Sequence, residues 1–135
     1  MSPTGRTQRC SEAHARTRLE HARAFRQVAD LVEDAGPEFA SAAAAVAVLA
    51  GVAACDAACC KALGRRSRGP DHHEAEGLVR QVEPGGKVAA TALRRLLDLK
   101  DAAHYGLFDV SGSDLRTAIR QADKLVTFAE AIVAR

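Results

Sequence analysis

Arginine and histidine are the side chains from which phosphate sites are built, and this chain gathers both in one short run. Arg65-Arg66-Ser67-Arg68-Gly69-Pro70-Asp71-His72-His73 holds three guanidiniums and two imidazoles. Guanidiniums bring permanent charge and forked donors, and the free amides of an adjoining helix start add to them. The run therefore reads as an anion site drawn from Arg65, Arg66, Arg68 and His73. Five residues separate Arg66 from His72. Beside one phosphodiester, such a pair could serve as charge stabiliser and as general base or acid. The plainer alternative is a solvated turn whose two histidines open a helix.

A second group is Lys100-Asp101-Ala102-Ala103-His104-Tyr105. Lys100 and His104 stand four apart and share a helical face. Tyr105 is the only tyrosine in the chain, and its hydroxyl could orient an imidazole or touch a phosphate. Equally, His104 and Tyr105 could simply close a helix, where a histidine suits the negative end of the dipole. Of the remaining ligand types, only Cys55 and Cys59 have one-turn spacing, and they sit in an apolar run, so neither metal nor cofactor is expected. There is no glycine-rich phosphate loop, nucleophile elbow or dinucleotide fingerprint.

These groups need helices to position them. The 135 residues suit one domain, 47% of them are hydrophobic and only 4% are aromatic. Much of the apolar content is alanine, a strong helix former and a poor strand residue, which favours an all-α bundle. A net charge of +2 excludes a global pull toward nucleic acid and makes any anion surface local. Residues 1–11 read as a flexible tail, and 12–135 as a single helical domain.

The spacing of Ala15, Leu19, Ala22, Phe25 and Val32 predicts a helix from about Glu12 to Asp34. His14 and His21 fall on its solvent side. Gly36-Pro37 breaks the chain, and the stretch from Ser41 to Leu63 then reads as one long helix, apolar on nearly all sides and hence buried. Gly51 within it marks a close helix–helix approach. Asp56, the charge in its middle, sits either on an exposed strip or against an arginine. Gly64 is read as a left-handed cap. Ala42–Cys55 is too short and too alanine-rich for a membrane span, so no membrane contact is expected. Cys10, Cys55, Cys59 and Cys60 read as buried small hydrophobes in a reducing cytosol rather than as a disulfide framework. Three further helices are predicted: a short one after the capping pair Asp71 and Glu74, one over Lys87–Tyr105, and a last one after Ser111. The result is an antiparallel up-and-down bundle of four to five helices.

The order of these pieces resembles the HEPN family of small prokaryotic helical bundles. The resemblance is carried by AVLAGVAACDAACCKALGRRSRGPDHHEA, by LKDAAHYG and by SGSDLRTAIRQADKLVTFAEAIV, and covers roughly residues 12–134. It implies a cytoplasmic homodimer found with nucleotidyltransferase-type partner proteins in toxin–antitoxin or defence systems. Nuclease members are similar in carrying an arginine, four to six residues, then a histidine, used for metal-independent RNA cleavage. Arg66 and His72, with His104, would fill those roles here. At the later position, however, Lys100 stands in the arginine place, and lysine makes no bidentate contact. The resemblance thus leans to a non-catalytic member that binds RNA or a nucleotide, with Arg65, Arg66, Arg68, His73, Lys100 and Tyr105 as the contact set. A metal-independent endoribonuclease is the alternative.

Overall fold

The computed structural model describes residues 6–68, 72–100 and 109–135. Helix α1 spans Glu12–Glu33. Ser11 caps it: its hydroxyl accepts from the His14 N–H at 3.2 Å, and His14 Nδ1 accepts from the Ser11 N–H at 3.0 Å. These bonds satisfy amides that the first helical turn leaves unpaired. Ala15, Leu19, Ala22 and Ala29 form its buried stripe, while His14 and His21 are exposed.

After a single 3₁₀ turn at Pro37–Phe39, helix α2 runs from Ala40 to Leu63. It is apolar all round, so no face of it can be left in water without loss. The bundle meets that demand over the C-terminal part, where every residue from Ala53 to Cys60 is buried, while Ala42 and Leu49 nearer the start are exposed. By length and composition Pro37–Leu63 could cross a membrane, yet 78% of its most apolar window lies inside the protein, as befits a core helix. Gly64 ends α2 in the left-handed region at φ 72°, where a side chain would be strained, and its N–H donates to the Cys60 carbonyl.

Helices α3 (His72–Val79), α4 (Gly86–Asp98) and α5 (Gly112–Val133) complete the enclosure, and α1, α4 and α5 all pack on α2. Ser111 caps α5 by accepting from the Asp114 N–H at 3.0 Å. The Val110 N–H donates to the Ser41 hydroxyl at 3.1 Å, which sets the start of α5 beside the start of α2. The fold is an all-α bundle, as the composition predicts. The predicted Lys87–Tyr105 helix is shorter where it is described: α4 stops at Asp98, with Leu99 as its cap.

One element was not foreseen. Thr7–Arg9 forms strand β1, which pairs antiparallel with strand β2, Arg65–Ser67, in the register Thr7↔Ser67, Gln8↔Arg66, Arg9↔Arg65. The ribbon is extended at both ends, by Cys10 N–H to the Gly64 carbonyl and by Arg68 N–H to the Arg6 carbonyl. Residues 6–11 are therefore not a free tail, and Arg65–Ser67 is not a bare turn. The backbone groups that a loop would leave to water satisfy one another here.

Gly51 is the closest approach in the core. A Cβ there would overlap Leu96 Cδ2 and stand 3.1 Å from Leu125 Cδ1. Gly51→Val should lower stability by about 1–3 kcal/mol through overpacking, read as a lower urea midpoint at unchanged m-value.

Candidate anion-binding site

The site forms where α2 ends and the ribbon begins. Opposite residues of an antiparallel pair share a face, and neighbours along a strand alternate. Gln8 and Arg66 therefore share one face, and Arg9 and Arg65 share the other. On the first face Arg66 is held at each of its three nitrogens. Its Nε and Nη2 donate to Gln8 Oε1 at 3.1 and 2.9 Å, and its Nη1 donates to Asp56 Oδ2 at 3.0 Å.

Asp56 is the hub. Arg18 of α1 donates to the same Oδ2 from Nε at 3.1 Å and from Nη2 at 3.0 Å. Of the two readings the sequence left open for Asp56, pairing with an arginine is the one realised. Burial pushes its carboxyl above the usual aspartate range, and Arg18 and Arg66 partly offset that. The folded protein therefore holds this proton more tightly than the unfolded chain does. The group's contribution to stability is largest below the unfolded-state range and declines as pH climbs through the folded one.

On the other face Arg9 and Arg65 are both exposed and directly opposite one another. Arg6 and Arg68, also exposed, lie at the far end of the ribbon, and by the same alternation they fall on the Gln8 and Arg66 side. Nearby Lys61 is already taken: its Nζ donates to Glu12 Oε1 at 2.7 Å, a bond that holds the Glu12 carboxyl below its ordinary value. The Arg6 N–H donates to Glu74 Oε2 at 3.1 Å, joining the ribbon to α3.

The sequence-derived residues divide as follows. Arg65, Arg66 and Arg68 come together on the ribbon, but only Arg65 and Arg68 present exposed guanidinium-bearing side chains, because Arg66 is spent on Asp56 and Gln8. His73 is exposed, with Nδ1 3.9 Å from Glu76 Oε2. Glu76 is itself buried and accepts from Arg94 at 2.8 and 3.1 Å and from Arg80 at 3.3 Å. The His72 side chain, and all of His104 and Tyr105, lie outside what the structure describes. Lys100 follows α4 and is half-buried. Among the described residues no three His, Cys, Asp or Glu side chains group as metal ligands would.

Sequence reasoning missed Arg6, Gln8, Arg9 and Arg18. Their signal was present only as the arginine count of the N-terminal segment, with nothing to show that it folds back. It also misread two cysteines. Cys10 and Cys60 form a disulfide, with Cα atoms 5.3 Å apart, which fastens the end of β1 to the last turn of α2. Cys55 and Cys59 are the buried free thiols that were expected for all four. Burial pushes Cys59 up to about 12 and raises Cys55 well above the ordinary thiol value.

Comparison with models of known protein families and with characterised proteins yields no match to this chain.

Asp56→Ala removes the acceptor of three guanidinium hydrogen bonds at once. It should cost about 3 kcal/mol at neutral pH, read by urea unfolding. An unchanged midpoint would mean that Arg18 and Arg66 turn to water without loss.

Proposed function

We propose that this chain is a non-catalytic, HEPN-like binding protein that takes the phosphates of RNA or of a nucleotide on its arginine ribbon. In that reading it works in the cytoplasm as a homodimer and as partner to a nucleotidyltransferase-type protein of a toxin–antitoxin or defence system. The observation that supports it is the exposed cross-strand pair Arg9 and Arg65. Like charges directly opposite in a ribbon destabilise it, and a bound phosphate would turn that repulsion into attraction. A two-stranded ribbon of this size has little stability of its own, so two exposed arginines held directly opposite one another on it favour a ligand that meets both.

The commitment of Arg66 weighs against cleavage. A guanidinium held by Asp56 and Gln8 is an anchor, not a group waiting for a phosphodiester. Arg66 in this reading shapes the ribbon, and Arg65 and Arg68 make the contacts, with His73 at the edge.

The test is fluorescence anisotropy with a single-stranded RNA oligonucleotide over a salt series. The wild-type chain should bind at low salt. The double variant Arg9→Ala, Arg65→Ala should bind about tenfold more weakly, with a log K against log salt slope shallower by about 1.4, the value for two lost phosphate contacts on a single strand. Absence of binding at low salt would sink the reading. RNA cutting in EDTA that stops with either Arg66→Ala or His72→Ala would transfer the assignment to a metal-independent endoribonuclease.

A further inference from the structure

Beside the ribbon lies a cavity of about 140 Å³ lined by Gln8, Arg9, Thr17, Arg18 and Arg66, with His14 at its side and the Cys10–Cys60 disulfide in its wall. We infer that this cavity is a thiol–disulfide exchange site, at which a low-molecular-weight anionic thiol reduces the Cys10–Cys60 bond and releases strand β1. The consequence for ligand binding rests on the anion-binding reading above, whereas the exchange site itself does not.

Three observations carry the inference. The cavity is too small for a drug-sized ligand but opens on the sulfurs, so the reagent it suits is the slender end of a thiol. Arg18 and Arg66 line it against the single carboxylate of Asp56, with Arg9 bordering it at the end of β1, so the local charge is positive. That draws in a thiolate and stabilises the thiolate that leaves, which are the two factors that make a disulfide labile. Finally, β1 is three residues long and exposed throughout, and apart from the disulfide only hydrogen bonds hold it, the ladder to β2 and the Gln8–Arg66 pair among them. In a reducing compartment a bond of this kind is transient and regulatory rather than structural.

The reaction balances with the thiol as reductant. The incoming thiolate attacks Sγ of Cys10, the less buried of the two residues. The Cys10–Cys60 bond breaks and Cys60 leaves as a thiolate. A second thiolate then attacks the reagent sulfur of the mixed disulfide and frees Cys10. Two external thiols are oxidised to one disulfide, two protein thiols are formed, and two protons pass from the reagent to the cysteines. Cys59 adjoins Cys60 but does not intervene, because its buried thiol stays protonated at neutral pH. Reduction thus separates Arg6 and Arg9 from Arg65 and Arg68 and dismantles the facing pair.

The full chain, purified without reductant, provides the test. Thiol titration after unfolding should count two thiols, Cys55 and Cys59, and four after dithiothreitol. The oxidised protein should react faster with 2-mercaptoethanesulfonate than with cysteamine, compared at equal thiolate, by about tenfold at low salt, and Arg9→Ala should narrow that gap. On reduction, amide hydrogen exchange should rise at residues 7–10 and hold steady in α2, and RNA affinity should fall about tenfold as two phosphate contacts are lost. Four thiols before reduction, equal rates for the two reagents, or unchanged exchange at residues 7–10 would each overturn the inference. If oxidised protein binds no RNA, the anion-binding reading fails alone, since thiol counts and exchange rates still decide this one. If Cys10→Ser folds, it should match the reduced wild type in both exchange and affinity.

Discussion

A helix with no polar face must be surrounded, and α2 imposes that condition on the whole molecule. Its side chains are so small that neighbouring helices must come close to fill the space around it. α1, α4 and α5 do so, with Leu96 and Leu125 reaching into the gap over Gly51. Close packing of this kind makes up for the large aromatic side chains in which the chain is poor. The enclosing helices in turn decide where polar groups may appear, and within α2 only Asp56 is a buried charge.

Asp56 links that packing to the arginine ribbon. A carboxylate in the last turns of a buried helix needs cations, and it draws one from α1 and one from β2. Arg66, once held, fixes β2. Gln8 bonds Arg66 and so fixes β1. The disulfide closes the same circuit covalently across 50 residues of sequence. On the chain-entropy view a ring of that length stabilises the fold by about 4 kcal/mol. Carboxylate, ribbon and disulfide therefore form one assembly at the C-terminal end of α2, and the arginines at its surface inherit their spacing from it.

The helices were legible because each announces itself locally. Ser111 caps, Gly64 terminates, and Ala15–Leu19–Ala22 repeats at helical spacing, each signal lying within a few residues of the helix it marks. The ribbon was not legible, because three-residue strands have no periodicity to read and their partners are far apart in sequence. The same distance hid the Cys10–Cys60 bond: three cysteines crowded on one helix suggested buried thiols, and nothing local distinguishes Cys60 from Cys59. Arg65, Arg66 and Arg68 were found as a cluster, but their different roles were not. Which arginine is an anchor and which is exposed depends on strand alternation, and so on the strand that the sequence did not reveal.

The long separation within the ribbon also bears on biosynthesis. Thr7 emerges from the ribosome before its partner Ser67, which is made some 60 residues later. At about 5–20 residues per second the nascent strand waits about 3–12 s for its mate. During that interval the Cys10 thiol travels unpaired, and Cys59 is delivered to it just before Cys60. Burial of Cys59 in the assembling helix layer would then be what protects the newborn chain from joining to the wrong sulfur.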